Sequence, residues 1–383
     1  MNNVLEVYDR CSGCGLCESI CPCSAISMEV QERAFRPVVN NACINCGKCI
    51  KNCPNQSMEK CTYEDFQYYY WGHSLNDKLR QEAASGGITS ELLVYLLRKK
   101  LVDYVVTADG YRDDENGRFC FCDSENIFEK AGSNYCPVNI GAALKEIAKR
   151  EGTCAIVCLP CLARGIRRLC EQDLALKSKI KFVITLLCNH VPTYNATEYL
   201  KKKYNLPSAD LIKYRGDGWF GFYRMYKKSR EGYEEYFRIP FGEYYSPVFT
   251  YFWQRGCIEC QDHFGHYADI AMGDADFVKG RSGDDNIGET MCFVNNPEMN
   301  QILQDMCKEG FIELSADCST EELDKIYGSL GTSNRADERN LNQNYMRIIR
   351  RERRQRLLRK MHLGRAFRAL VRKSLNKVKS HNK

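Results

Sequence analysis

Past residue 63 the chain alternates short apolar runs with amphipathic stretches. The runs over 103–107, 154–159 and 181–187 predict strands, and the periodic stretches over 88–100, 138–150, 161–170 and 194–204 predict helices. Alternation of the two predicts a mixed α/β (α+β) domain. Beyond Asp210 the runs look shorter and are rich in Tyr, Phe and Gly, which predicts an antiparallel portion. Ahead of residue 63 the segment 25–39 predicts the end of a short helix and a hairpin.

Composition alters this picture through one residue type. With 44% hydrophobic and 27% charged residues, the 383-residue chain is an ordinary globular protein, long enough for two or three domains, but it contains 23 cysteines. A secreted disulfide protein would need an export signal, and residues 1–6 offer neither a basic start nor an apolar core. No apolar run approaches the roughly eighteen residues needed to span a bilayer. The expectation is therefore a cytoplasmic protein with reduced, metal-ligating thiols.

Cys11, Cys14, Cys17 and Cys21-Pro22 fit C-x2-C-x2-C-x3-C-P, and Cys43, Cys46, Cys49 and Cys53-Pro54 repeat it. In this spacing three thiolates wrap one 4Fe-4S cluster while the fourth, carried onward by proline, reaches the other. One cluster is thus expected on Cys11, Cys14, Cys17 and Cys53, and a second on Cys43, Cys46, Cys49 and Cys21. Gly13, Gly15 and Gly47 suit a backbone that bends tightly and turns amide N–H groups towards sulfur. Structural zinc is the alternative, although zinc sites usually pair two C-x2-C knuckles. Cys23 and Cys61 fall outside the repeat and read as spare buried thiols or as groups that tune a cluster.

In the larger domain Ser85-Gly86-Gly87 opens the helix 88–100, where it is either a plain N-cap or a phosphate cradle. No G-x-G-x-x-G follows a predicted strand, which argues against a nicotinamide-binding Rossmann unit. Pro160-Cys161 lies where a strand meets a helix, Cys188 ends a strand, and Cys257-Ile258-Glu259-Cys260 adds a knuckle. These four cysteines could converge on a third cluster or on zinc.

At these residues the chain resembles the family of coenzyme F-420 hydrogenase/dehydrogenase beta subunits, in the form preceded by a two-cluster bacterial ferredoxin domain. The resemblance covers about residues 1–295. It rests on Ser85-Gly86-Gly87, Gly132-Ser133-Asn134-Tyr135, Pro160-Cys161, Leu187-Cys188, Cys257 to Cys260, Ala268-Asp269-Ile270 and Gly273-Asp274, in that order. It implies FAD at Ser85, Gly86 and Gly87 and near Gly132, Ser133, Asn134 and Tyr135, and a third 4Fe-4S cluster on Cys161, Cys188, Cys257 and Cys260. It further implies electron transfer between a small-molecule substrate and a ferredoxin-like redox partner protein. Asn134 stands where the family often has lysine, removing a fixed positive charge, and Ala275-Asp276 stands where Asp-Trp is common. The expected organisation is a ferredoxin-type domain over 1–62, a flavin and iron–sulfur domain over 63–342, and a basic amphipathic helical tail over 343–383.

His73, His190, His263 and His266 read as satisfied or surface histidines, as acid–base groups, or, for the last two, as completing a zinc site beside the knuckle. The run Tyr68-Tyr69-Tyr70-Trp71 reads as core packing or as rings covering an isoalloxazine. Residues 347–383 hold fifteen Lys or Arg against one acid, Glu352, a net charge of +14; the whole chain carries +6, so the rest carries −8. An acidic body argues against a nucleic-acid substrate. The tail fits an anionic membrane surface, peripheral contact at its inner face included, an acidic partner, or packing on the body. Three function classes compete: an iron–sulfur flavoprotein oxidoreductase, a non-catalytic electron-transfer module, and a metal-stabilised accessory protein of a glycan biosynthetic pathway.

Overall fold

The apolar runs condense into sheets in the computed structural model of the protein, which describes residues 2–57, 60–110, 117–123, 125–275, 287–316 and 318–327 together with 350 and 354. The expected basic tail, those two arginines apart, lies outside the described residues. Strands β1 (Ile26–Gln31) and β2 (Ala34–Val39) form the expected hairpin, closed by Glu32 and Arg33 at positive φ. Strands β3 (Tyr68–Ser74), β4 (Tyr104–Ala108), β5 (Phe119–Cys122), β6 (Cys154–Cys158) and β7 (Ile180–Leu186) belong to the main sheet. Strands β8 (Leu211–Lys213), β9 (Phe222–Lys228) and β10 (Tyr233–Pro240) make a separate antiparallel sheet. Strands β11 (Ile270–Asp274), β12 (Thr290–Val294) and β13 (Ile312–Ser315) return to the main sheet, whose order is β13-β3-β12-β11-β7-β6-β4-β5.

Its centre, β11-β7-β6-β4, is parallel, and its flanks are antiparallel. Parallel strands are covered on both faces, so their residues divide by parity between two cores. Val105, Ala155, Val157, Phe182 and Ile184 pack with the Ile88–Arg98 helix. Val106, Ile156, Cys158 and Val183 pack with Leu162, Ile166 and Leu169 of the Pro160–Gln172 helix, joined by Ile180 ahead of a register shift in β7. Leu16 and Ile20 of the N-terminal segment join this second core, so the cysteine-rich segment is seated on the sheet domain.

Two expectations change, and a third is settled between its alternatives. In place of a helix over 138–150 there is a 3-10 turn, Ile140–Ala143, and one helical turn, Leu144–Ile147. The N-terminal segment takes the backbone groups a longer helix would use: Gly141 N–H donates to the Cys14 carbonyl at 2.8 Å, and the Ser19 hydroxyl donates to the Gly141 carbonyl at 2.7 Å. After Asp210 the strands β8, β11, β12 and β13 are short, as expected, but β9 and β10 have seven and eight residues, and β11 pairs parallel to β7. The aromatic run 68–71 lies within β3, where Tyr69 meets the Phe293 ring edge-on at 5.8 Å and the Tyr70 hydroxyl donates to Asn300 Oδ1 at 2.9 Å. That is core packing. Among the described residues no helix is long and apolar enough to cross a membrane.

Candidate iron–sulfur and flavin site

The first cysteine set forms because Gly13 and Gly15, at φ +70° and +83°, curl the chain around Cys11, Cys14 and Cys17. Gly13 N–H points at Cys11 Sγ, 3.3 Å away. Cys53 arrives from the second motif. Burial pushes the Cys14 thiol up to about 12, helped by Cys53 and Cys11. Cys17 is driven well above the ordinary range by burial and then by Cys14, Cys11 and Cys53. Sulfurs so placed repel one another as thiolates and need a cationic centre among them.

Cys21, Cys43, Cys46 and Cys49 line one concavity with Pro22, Gly47 and Cys23. The Ala25 N–H donates to Cys21 Sγ at 3.2 Å. Cys23 is therefore a wall of this second set. The two sets adjoin, since Cys49 is among the neighbours that push up both Cys17 and Cys53.

The third set gathers at the carboxyl ends of parallel strands, where open α/β sheets bind ligands. Cys161 stands in the first turn of the helix after β6, Cys188 two residues beyond β7, and Cys257 at the end of a 3-10 turn, Arg255–Cys257. Burial raises the Cys161 thiol, with Cys14, Cys260 and Cys257 adding to it, and burial raises Cys188, with Cys257, Cys161 and Cys260 adding to it. The four cysteines are thus brought together. Cys14 is the first neighbour to push up the Cys161 thiol, and Ser12 favours both thiolates against their burial, so the third set borders the first. Between them Arg36, only 2% exposed, donates through Nη1 to the Cys11 carbonyl at 2.5 Å and favours the Cys257 thiolate against its burial.

The flavin candidates fall on the other side of the third set. Ser85 Oγ bonds to Thr290 Oγ1 at 3.0 Å, and a Cβ on Gly86 would lie 2.5 Å from the Gly72 carbonyl, so Gly86 serves close packing of its loop on β3 and β12. Gly87, at φ +83°, is the N-cap of the Ile88–Arg98 helix. Gly132 lies against the Arg215 and Glu82 carbonyls, with Ser133 and Asn134 half-buried beyond it. Tyr135 packs against Phe241, Tyr244 and Tyr245. Its hydroxyl accepts from Arg215 Nη1 at 3.5 Å, and Arg215 pairs with Asp274 at 2.8 Å. Trp219 Nε1 donates to the same carboxylate at 3.3 Å. Cys188 is among the neighbours of both Tyr135 and Tyr245, after burial, in pushing their hydroxyls up. Arg215 is 4% exposed, and its Nη2 has no hydrogen-bond partner among the described residues.

The histidines divide. His190, buried in the core, stacks on Trp253 at 4.2 Å with Nε2 at the Val248 carbonyl. His73 pairs with Glu289 at 3.0 Å. His263 Nδ1 meets the Cys188 carbonyl, while His266 turns to Cys61 and Asp262.

Models of known families match three stretches. Residues 69–145 match the N-terminal part, and residues 152–318 the C-terminal part, of the family described as "Coenzyme F420 hydrogenase/dehydrogenase, beta subunit", and residues 6–27 match a 4Fe-4S binding domain. The chain belongs to the family of coenzyme F420 hydrogenase/dehydrogenase beta subunits. It is 23% identical over 285 residues to one of the subunits of the F(420)H(2) dehydrogenase of Methanosarcina mazei, covering 70% of this chain and 75% of that one. It is 26% identical to the beta subunit of the F420-dependent formate dehydrogenase of Methanocaldococcus jannaschii, covering 61% and 58%. With the coenzyme F420-dependent sulfite reductase of the same organism it shares 24% identity over 55% of this chain and 36% of that one. A chain in the solved F420-reducing [NiFe] hydrogenase complex from Methanosarcina barkeri shares the fold, with a TM-score of 0.53 and 18% identity over 72% of this chain and 91% of that one. These findings make the protein an iron–sulfur oxidoreductase carrying 4Fe-4S clusters.

Sequence reasoning missed Ser12, Arg36, Arg215 and Trp219. None of the four carries a signal of spacing or periodicity.

Proposed function

We propose that the chain is an iron–sulfur flavoprotein that passes electrons between a redox partner protein and a small-molecule substrate, through FAD and three 4Fe-4S clusters. The clusters are held by Cys11, Cys14, Cys17 and Cys53, by Cys21, Cys43, Cys46 and Cys49, and by Cys161, Cys188, Cys257 and Cys260. Residues 1–62 serve as the wire to the partner. The observation that carries this reading is the gathering of the third set between Cys14 on one side and Tyr135 on the other. FAD fits beside Tyr135 because the buried, unpartnered Nη2 of Arg215 is a charged donor awaiting an acceptor, and it restores the positive charge absent at Asn134. When bound, the flavin supplies the exchange between two-electron substrate chemistry and one-electron cluster chemistry. Arg215 would hold it, Asp274 and Trp219 would hold Arg215, and the Tyr135 cluster of rings would keep water out. Relatives named as subunits of a dehydrogenase and of a formate dehydrogenase support a protein partner.

The test is Cys161→Ser in anaerobically purified protein. The unmodified chain should carry about twelve irons, and the variant about eight. Substrate should still bleach the variant's flavin while its N-terminal clusters stay oxidised. Eight irons in the unmodified, folded chain would remove the third cluster, and reduction of the N-terminal clusters at the unmodified rate would remove its role.

A further inference from the structure

One more group of metal-ligating side chains lies outside the three cysteine sets. Cys61 Sγ, a carboxylate oxygen of Asp262 and a ring nitrogen of His266 lie within 4.8 Å of one another. Cys61 comes from the link between the ferredoxin-type segment and β3, whereas Asp262 and His266 follow the knuckle that ends at Cys260. Cys61 is wholly buried and Asp262 is 2% exposed. The carboxylate is held in orientation, because Oδ1 accepts the Gly265 N–H at 2.7 Å. Its Oδ2 has no hydrogen-bond partner among the described residues, and neither has His266 Nδ1. A buried acceptor left in this state is costly, and more so when charged, so the arrangement calls for an occupant.

Arg164 is the nearest cation. Its Nη2 stands 4.0 Å from Asp262 Oδ2, beyond hydrogen-bonding distance, and is itself without a partner. An Arg164–Asp262 pair alone would use neither the thiol nor the imidazole. A divalent cation uses all three donors.

We propose that Cys61, Asp262 and His266 bind one zinc ion, separate from the iron–sulfur clusters. A thiolate, an imidazole and a carboxylate form a borderline donor set for which zinc outcompetes ferrous iron, and three protein ligands leave the fourth tetrahedral position to water. Zinc ligands at about 2.0–2.3 Å lie roughly 3.5 Å apart, so small side-chain movements close the site. Binding releases the Cys61 proton. Thiolate and carboxylate then neutralise the ion, and Arg164 stands behind Asp262 as an outer hydrogen-bond donor. The site ties the link at Cys61 to the loop that carries Cys257 and Cys260.

The test is metal analysis of the full-length chain purified anaerobically, then incubated with zinc chloride and desalted. About one zinc per chain is expected in addition to the iron. Cys61→Ala, Asp262→Asn and His266→Gln should each lower zinc at least about tenfold at unchanged iron. Zinc X-ray absorption should show one sulfur near about 2.3 Å among nitrogen and oxygen neighbours at about 2.0–2.2 Å. His266→Gln carries the test if Cys61→Ala misfolds, since His266 is only partly buried. Absence of zinc from the unmodified chain overturns the proposal, as does zinc retained in all three variants. Parallel loss of iron and zinc in all three overturns the claim that the site is separate.

Discussion

Gly141→Ala tests whether the N-terminal segment is rigidly seated on the sheet domain. A Cβ at position 141 would lie 2.4 Å from the Cys14 carbonyl oxygen and 2.6 Å from Leu16 N, whereas ordinary contact begins at 3.4 Å. Both obstacles are backbone, so the two segments must part by about 1 Å. That movement stretches the 2.8 Å bond from Gly141 N–H to the Cys14 carbonyl past useful length. Overpacking costs about 1–3 kcal/mol and the lost bond about 1 kcal/mol, giving roughly 2–4 kcal/mol together. Gly242→Ala is the control, because nothing lies within 4 Å of its Cβ and alanine is favoured over glycine inside a helix by up to about 1 kcal/mol. Anaerobic melting followed by the visible absorbance of the clusters should fall by roughly 3–5 °C in the first variant and stay or rise in the second. Electrons should also pass more slowly from the third set to the first. Equal melting of Gly141→Ala and the unmodified chain would refute the rigid seat.

Arg215→Gln should weaken flavin retention on desalting by roughly 10–100-fold, the equivalent of a charge-assisted bond of about 1.5–3 kcal/mol, at unchanged iron content; flavin retained in full would move its site elsewhere. Deleting residues 347–383 should leave the iron content intact and abolish salt-sensitive binding to anionic vesicles, because exposed cations act only within about 8 Å at physiological ionic strength. Vesicle binding that survives the deletion, or an insoluble truncated chain, would exclude the surface-binding reading.

The parts of the site legible in the sequence are those in which neighbouring residues act together. Cys11, Cys14 and Cys17 sit on one turn of chain, so their spacing alone predicts their grouping, and the proline after Cys53 signals its approach to them. Cys161 and Cys188 are legible because a strand end is itself a sequence signal. Arg36 and Arg215 are not, because an arginine has the same letter in solvent as 2% or 4% exposed beside a distant residue. Arg215 meets Tyr135 across 80 positions, which periodicity cannot reveal. The helix expected over 138–150 fails for a related reason. Its apolar period is real, since Ile140, Ala143, Leu144 and Ile147 are buried, but the backbone bonds go to another segment. Resemblance to the family supplied what spacing left open, the gathering of Cys257 and Cys260 with the strand-end cysteines.

The neighbours of each set leave little freedom in the order of a path. Tyr135 and Tyr245 border Cys188, Cys161 borders Cys14, and Cys17 borders Cys49. Beyond Cys49 the second set opens to solvent, with Cys46 exposed. On the proposed reading, electrons from the flavin side therefore meet the third set, then the first, then the second, which offers a partner an exposed cysteine, Cys46. Arg36 stands at the first of these joins. Its Nε has no partner among the described residues, and a buried guanidinium without an anion is costly, several kcal/mol by the usual penalty for desolvating a charge. Of the anions near it, the sulfurs of the first and third sets are the ones that gain negative charge on reduction. On that reading Arg36 would depend on the clusters for its charge balance, and the clusters would gain from it a fixed cation that favours their reduced forms. A join built in this way holds an electron passing between two buried centres without requiring water to enter.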